Sequence, residues 1–198
     1  MKRLLSILPL LLLLLPPTEL AAKAVPPTSR QLAQSVAPID DSEGHHFCTA
    51  WSVNRVRGLW VTAAHCLGNE GRIQGVVITP VMVDLMLDIA VVTGPHVQAL
   101  VLAARAPQVN APVLMIGYPF GFEQVVSNGK VKLLCQVIEG EGFKTLFAGL
   151  AVGPGNSGGP ILVGGRVVSV LQLGWTYGGF FAGSCWLDMV RALQPFAE

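Results

Sequence analysis

Most of this sequence consists of short apolar segments, rich in β-branched residues, that are separated by Gly, Pro and Asn. The pattern starts at Phe47 and continues nearly to the C-terminus. Short strands divided by turn residues at this spacing are typical of β-barrels and β-sandwiches. Asn128-Gly129 and Gly164-Gly165 are dipeptides that favour tight hairpin turns. The predicted strands are Cys48–Val56, Leu59–Thr62, Gly75–Val83, Leu87–Thr93, Pro112–Tyr118, Lys130–Glu139, Lys144–Gly149, Pro160–Val163, Arg166–Leu173 and Gly179–Gly183.

One segment near the C-terminus follows a helical period instead. Trp186, Met189, Val190 and Leu193 are spaced i, i+3, i+4 and i+7, which places them on one face of an α-helix. Pro195 ends this helix or follows its end. With 52% apolar and 13% charged residues, the chain can bury a sizeable core, and we expect it to be folded rather than disordered.

The first residues have the layout of a secretory signal peptide. Lys2 and Arg3 precede the apolar run Leu4–Leu15, and Ala22–Ala24 offers a small-x-small cleavage site before Val25. A membrane anchor is the alternative, but a helix of this length rises only about 18 Å, less than the hydrocarbon core of about 30 Å. We therefore expect residues 1–24 to be removed and the mature protein to be secreted or periplasmic, with no stable membrane span.

The segment after the signal is rich in Pro and Ala, and residues 25–38 are predicted as a linker with one helical turn near Gln31–Val36. The chain has 13 Lys and Arg residues against 12 Asp and Glu, and residues 1–24 hold three of the former and one of the latter. The mature chain is therefore nearly neutral. That balance argues against nucleic acid as a partner.

Ser157 is the candidate nucleophile because it lies in the Gly-rich segment Gly153–Pro160. A serine nucleophile must present its hydroxyl at a tight turn with backbone N–H groups beside it. Glycine permits the positive φ values and the close backbone approach that such a turn requires. The N–H groups of Gly155 and Ser157 are the expected oxyanion donors. An ordinary Gly-rich turn is the alternative for this segment taken alone.

His65 and Asp88 are the candidates for a base and for the acid that orients it. A serine hydroxyl needs a base to remove its proton, and histidine titrates in the useful pH range. Asp88 lies in a strongly apolar run, so its carboxylate needs a partner if it is buried. A histidine N–H is a suitable partner, because the acid then fixes the tautomer and orientation of the imidazole. Asp84 is the rival for this role.

The segments Thr-Ala-Ala-His-Cys, Asp-Ile-Ala-Val and Gly-Asn-Ser-Gly-Gly-Pro follow one another in the order His, Asp, Ser. In this respect the chain resembles the trypsin/chymotrypsin-like serine proteases, in their bacterial-type branch. The resemblance implies an all-β fold of two antiparallel six-stranded barrels and a C-terminal α-helix. It also implies a secreted serine endopeptidase that hydrolyses polypeptides through a triad of Ser157, His65 and Asp88 and an acyl-enzyme intermediate. The corresponding protease domain is 39–198, with barrels at about 39–108 and 109–185 and the helix at about 186–196.

Two features depart from the family pattern. The interval of 23 residues from His65 to Asp88 is short, so the strands between them must be trimmed to little more than a hairpin. Asn156 stands where the digestive members carry an Asp that pairs with a new N-terminal amine on activation. An amide cannot form that ion pair, so we expect no such zymogen switch.

The resemblance also pairs Cys48 with Cys66, beside the histidine. It leaves the pairing of Cys135 with Cys185 open, since it places them on strands separated by another strand, and two free buried thiols are equally compatible with it. A zinc site is the alternative for the ligand-type residues, but their spacing matches no compact ligand pattern, so no metal and no cofactor are predicted. The residues weighed as zinc ligands are His45, His46, Cys48, His65 and Cys66.

By the same resemblance, Ala151 forms the base of the pocket for the substrate residue before the scissile bond. Its walls would be Leu171–Gly174, which includes Gln172 and Leu173, and Gly179–Phe181. The backbone from Gln172 to Gly174 would pair with an extended substrate. Because Ala151 offers no charge, the expected preference is for an apolar P1 residue, unless Phe180 or Trp175 fills the pocket.

Two other classes of function remain at this point. One is an inactive protease fold that serves as a binding module. The other is an esterase or lipase, for which Gly-x-Ser-x-Gly is typical and is satisfied around Ser157. The order His, Asp, Ser argues against the second class, because those enzymes carry the order Ser, acid, His.

Overall fold

A computed structural model describes residues 28–68, 70–138, 142–173 and 180–198. The predicted signal peptide, the first residues of the predicted linker and the pocket residues Gly174 and Gly179 lie outside the described residues. Within the described ranges, no helix is long and apolar enough to cross a membrane. The strands form two antiparallel sheets, one from each half of the chain.

The first sheet has seven strands in the order β5-β4-β1-β2-β3-β7-β6. It has one strand more than the expected six-stranded barrel, and two of its strands are only two residues long. Among the described residues, no strand pairing joins β5 to β6 at its two ends. Its strands are β1 (Val36–Asp40), β2 (His46–Asn54), β3 (Leu59–Thr62), β4 (Arg72–Ile73), β5 (Val76–Val77), β6 (Pro80–Asp84) and β7 (Ile89–Thr93).

The second sheet is a closed six-stranded barrel in the order β10-β13-β12-β11-β8-β9. The Gly164-Gly165 turn joins β11 to β12 as the sequence predicts, and both glycines have positive φ. The strands are β8 (Pro112–Gly117), β9 (Val125–Ile138), β10 (Gly142–Ala148), β11 (Pro160–Val163), β12 (Arg166–Leu173) and β13 (Phe181–Ser184).

In the part of the chain that the structure describes, two α-helices flank the sheets. α1 (Ser29–Ala33) begins with a capping box, in which Thr28 and Gln31 satisfy each other's backbone N–H groups. α2 (Trp186–Leu193) buries Met189 and Leu193 and contacts β12, which confirms the helix predicted from the apolar period.

A continuous apolar cluster joins the two sheets to each other and to α2. It includes Trp51 and Val61 from the first sheet, Ile116 and Val170 from the second, and Met189 from α2. All five are buried. Burial of a side chain of this size stabilises the fold by about 1.5–3 kcal/mol. The interface between the sheets is therefore part of the core, which fixes the relative positions of groups that the two sheets present at their common edge.

The structure corrects several local predictions. The Asn128-Gly129 dipeptide lies inside β9 rather than at a turn, opposite Leu114 and Val113. Glycine is required there for another reason, because a Cβ at Gly129 would lie 2.5 Å from the carbonyl oxygen of Ala148. The predicted strand Gly75–Val83 is divided into β5 and β6, and residues 36–38, assigned to the linker, belong to β1.

All four cysteines are paired, in two disulfides. Cys48 is bonded to Cys66, as the resemblance implies. Cys135 is bonded to Cys185, although β10 lies between β9 and β13. The pair can meet because Cys135 lies at a bulge with φ 47° and Cys185 has already left β13 as the cap of α2, so the two Cα atoms are 5.2 Å apart.

Tyr118 joins the two halves of the molecule. Its hydroxyl donates to the carbonyl of Val36 at 3.2 Å and accepts from the amide of Gln124 at 3.0 Å. Burial raises the pKa of Tyr118 above its usual value of about 10, and the nearby charge of Asp40 acts in the same direction.

We expect this phenol to make stability sensitive to alkali. Because its folded pKa is the higher one, its contribution is complete below the unfolded pKa and is lost as the pH rises through the folded pKa. Tyr118→Phe should cost about 1 kcal/mol at neutral pH, from the lost hydrogen bonds, and should reduce the alkaline loss of stability. Thermal unfolding from neutral pH to about pH 11 measures both effects. An unchanged alkaline slope in the variant would contradict the assignment.

Candidate active site

The first sheet brings His65 and Asp88 together. His65 lies in a 3₁₀ turn, Ala64–Leu67, directly after β3, and Asp88 directly precedes β7. The two strands are paired, with Thr62 opposite Ala90, so the two residues meet at one edge of the sheet. The carboxylate of Asp88 accepts from Nδ1 of His65 at 2.8 Å and from the backbone N–H of His65 at 3.0 Å.

This double contact orients the imidazole. With Nδ1 carrying the proton that Asp88 accepts, Nε2 is left as the basic nitrogen. His65 exposes 48% of its side chain and Asp88 only 22%, so the ring is accessible to a reactant while the acid is shielded from water. The pair is therefore arranged for the transfer of a proton at Nε2.

Asp84, the rival acid, has a different role. One of its carboxylate oxygens accepts from the backbone N–H groups of Met86 and Leu87, at 3.0 and 2.9 Å. The side chain thus stabilises the turn between β6 and β7, which brings Asp88 to its position. β6 and β7 form a hairpin at this turn. The hairpin brings Asp88 to His65 although only 23 residues separate the two in the sequence.

The second barrel places Ser157 against the strand end that leads to His65. The carbonyl of Ser157 accepts from the N–H of Thr49 at 2.8 Å and lies 3.8 Å from Sγ of Cys66. Gly158, with φ 85°, packs so closely that a Cβ would lie 2.3 Å from the carbonyl oxygen of Thr49 and 2.8 Å from the nitrogen of Ala63. Only glycine fits there, which accounts for the residue that follows the serine.

The backbone before Ser157 forms a turn with donors available for an anion. The carbonyl of Pro154 accepts from the N–H of Phe120 at 2.5 Å, and in a planar trans peptide the N–H of Gly155 points the opposite way. Gly155 has φ 97°, and a Cβ there would lie 2.3 Å from the carbonyl oxygen of Tyr118. Among the described residues, the N–H groups of Gly155 and Ser157 find no acceptor.

Asn156 lies beneath this turn. Its side chain is completely buried against Gly117, and neither amide atom has a hydrogen-bond partner among the described residues. Its backbone N–H donates to Gly153 and its carbonyl accepts from Gly159, so the main chain closes the turn without an ion pair at this position.

The predicted pocket residues lie in different environments. Ala151 is exposed, and its N–H donates to the hydroxyl of Ser127 at 2.6 Å. Phe180 is half-buried, and Leu173 ends β12. Gln172 turns its side chain into the protein, where it contacts Lys144 and the β6–β7 turn. This side-chain contact and Lys144 itself were not predicted from the sequence, although a lysine within a mostly apolar strand was a signal for it.

The histidines weighed as zinc ligands are held by carboxylates. Nδ1 of His46 bonds to Asp40, and Nδ1 of His45 lies 3.1 Å from Asp41. Hydrogen bonds from the backbone N–H and the side chain of His45 hold the pKa of Asp41 below its usual value. The ligand atoms of Cys48, His65 and Cys66 lie within 4.8 Å of one another, but both sulfurs are joined in the disulfide and offer no thiolate.

A cavity of about 580 Å³ adjoins the turn before Ser157, which sequence reasoning did not anticipate. Its lining includes His45, His46, Phe47, Phe120 and Gly155. It extends from Gly155 to His46 and Phe47 at the start of β2.

Comparison with known proteins identifies the family of this chain. The family model for the trypsin-like peptidase domain matches residues 48–170, a range that contains His65, Asp88 and Ser157. The chain belongs to the trypsin-like peptidase family. Members of this family are serine-type endopeptidases, and the two β-sheets and small C-terminal helix of the described residues agree with that assignment.

Two curated relatives are magnetosome formation proteases. MamE of Paramagnetospirillum magneticum is 34% identical over 111 residues, and MamE of Magnetospirillum gryphiswaldense is 39% identical over 111 residues. The matches cover 52% of this chain but only 15% and 14% of those proteins. The chain thus spans a small part of the length of the curated relatives it matches.

Solved structures share the fold of this trypsin-like peptidase. The Rv3671c protease from M. tuberculosis in its active form has a TM-score of 0.70 at 19% identity, over 87% of this chain and 86% of that one. The serine endoprotease from Yersinia pestis has a TM-score of 0.68 at 19% identity, over 85% of this chain and 66% of that one.

Proposed function

We propose that this chain is an active, extracytoplasmic serine endopeptidase, with Ser157 as nucleophile, His65 as general base and Asp88 as the acid that orients it. The observation that carries the proposal is the double hydrogen bond from His65 to the carboxylate of Asp88. Membership of the trypsin-like peptidase family supports peptide-bond hydrolysis as the reaction.

In the proposed reaction, the hydroxyl oxygen of Ser157 attacks the carbonyl carbon of the scissile peptide while Nε2 of His65 takes the hydroxyl proton. The oxyanion is stabilised by the N–H groups of Gly155 and Ser157, which need no reorganisation because they have no acceptor among the described residues. His65 then gives its proton to the leaving amine. Water, activated by the same histidine, hydrolyses the acyl-enzyme and restores the serine.

The proposed location outside the cytoplasm rests on two features of the chain. Both disulfides would form and persist in an oxidising compartment. The charged start and the apolar run within residues 1–24 have the composition of a secretory signal.

We further propose a polypeptide substrate with an apolar residue at P1. Ala151 offers no charge at the base of the pocket, and the polar group within hydrogen-bonding distance of it is the neutral hydroxyl of Ser127. A carboxylate that would select Arg or Lys is absent at these two positions.

The test is digestion of a peptide library by the purified mature protein, with mass spectrometric identification of the new ends and Ser157→Ala as the control. We expect cleavage mainly after apolar residues, and none with the variant. Cleavage mainly after Arg or Lys would contradict the P1 preference. Ester hydrolysis without any peptide cleavage would contradict the endopeptidase function.

A further inference from the structure

The side chain of Lys144, in β10, is almost completely buried, with 3% of the residue exposed. Placing a lysine ammonium in the interior is costly unless strong hydrogen bonds replace its water. Nζ of Lys144 donates to Oε1 of Gln172, in β12, at 2.6 Å. Gln172 is itself 2% exposed, so this contact lies inside the second barrel, away from solvent.

The amide nitrogen of Gln172 contacts the first sheet instead. Its Nε2 donates to the carbonyl of Leu87 and, at 3.1 Å, to the carbonyl of Asp88. The orientation of the amide is fixed by its partners, since the ammonium needs an acceptor and the two carbonyls need a donor. Lys144 and Gln172 therefore form one hydrogen-bonded chain from the interior of the second barrel to the turn that carries Asp88.

The two carbonyls that Gln172 holds are those on either side of the Cα atom of Asp88. Because each peptide group is planar, fixing both groups fixes φ and ψ of Asp88. Asp88 has φ 51°, in the left-handed region that non-glycine residues rarely adopt. Such a conformation persists when the surrounding structure over-determines it. Its side chain direction, and so the position of its carboxylate against His65, follows from this backbone.

We propose that Lys144 and Gln172 are positioning residues, which hold Asp88 in its left-handed conformation and so keep its carboxylate on His65. This inference rests on the proposed function for its effect on catalysis. It also links the two halves of the site, because the barrel that supplies Ser157 would then hold the acid that the first sheet supplies. Neither side chain touches substrate in this role.

Four variants separate positioning from stability. Gln172→Leu removes the amide but leaves the charge of Lys144 without that acceptor, so it can fail through instability alone. The double variant Lys144→Met/Gln172→Leu removes the ammonium together with this acceptor, so no buried charge is left beside a lost partner. Lys144→Met alone retains the amide without its anchor. Gln124→Leu is the matched control, since Gln124 also donates from Nε2 to two backbone carbonyls, those of Ala33 and Val36, but outside the site.

The first readout is the low-field proton NMR resonance of the His65 Nδ1–H bonded to Asp88, which is assigned by its loss in Asp88→Asn and needs no turnover. The second is the split between kcat and KM on a peptide substrate, with thermal unfolding measured in parallel. We expect the double variant to remain folded at the assay temperature, to shift or lose the resonance, and to lose kcat on the order of 100-fold with little change in KM. Lys144→Met should give a smaller loss, and Gln124→Leu should retain both resonance and kcat.

The outcomes distinguish this inference from the proposed function. A stable double variant with the wild-type resonance and kcat would overturn the positioning role while leaving the endopeptidase function intact. If the double variant loses the resonance but the wild type cleaves no peptide, the positioning role is supported and the proposed endopeptidase function is overturned. Equal loss of kcat in Gln124→Leu and in the double variant would also overturn the inference, because it would show a general effect of removing a side-chain amide that bonds to backbone carbonyls.

Discussion

Replacing Ser157 by alanine should lower kcat/KM for peptide hydrolysis by about 10⁴- to 10⁶-fold. The variant loses the only oxygen that the proposed mechanism uses to attack the substrate, while the turn around it is held by backbone contacts. The carbonyl of residue 157 still accepts from Thr49, and Gly158 still packs on Ala63. Steady-state kinetics with a peptide substrate that leaves a chromophore measures the loss.

Thermal unfolding of the same preparation is the control for Ser157→Ala. Ser157 is only partly buried, so the variant should melt close to the wild type. Residual peptidase activity within about tenfold of the wild type, far above the residual rate expected without a nucleophile, would contradict the assignment of Ser157.

The second large loss of activity is expected on replacement of Asp88, the acid that orients His65. Asp88→Asn should lower kcat by about 10⁴-fold, because an amide in place of the carboxylate favours the wrong imidazole tautomer. The matched variant Asp84→Asn should retain most of the activity. An asparagine oxygen can still accept from the N–H groups of Met86 and Leu87, so the turn is preserved.

The comparison of these two variants decides which carboxylate acts on His65. Both change one charge on the same turn, so a general electrostatic effect would appear in each. Equal losses in the two variants would reverse the assignment of Asp88 and would show that the contact with Nδ1 does not orient the base.

The residues of the candidate site were predictable because each belongs to a local motif with its own physical requirement. Neighbouring residues alone show the glycines around Ser157 at 155, 158 and 159, the histidine after a strand and the acid in an apolar run. The strands Leu59–Thr62, Pro160–Val163 and Arg166–Leu173 were predicted with the bounds that the structure gives. Glycines delimit the last two on both sides, and Gly58 precedes the first.

The parts that could not be predicted depend on contacts between distant segments. Asn128-Gly129 has the composition of a turn, but its glycine is required by the carbonyl of Ala148, which no local pattern shows. The disulfide of Cys135 and Cys185 depends on a bulge at one end and a helix cap at the other. The direction of the Gln172 side chain likewise depends on Lys144, 28 positions earlier in the chain.

The central claim is that Ser157 is an activated nucleophile in an open site, and labelling of the purified mature protein with a fluorophosphonate probe tests it most directly. The account predicts one label per chain on Ser157 in the wild type and none in Ser157→Ala. A folded wild type that takes up no label, or a Ser157→Ala variant that is labelled as well as the wild type, would contradict it.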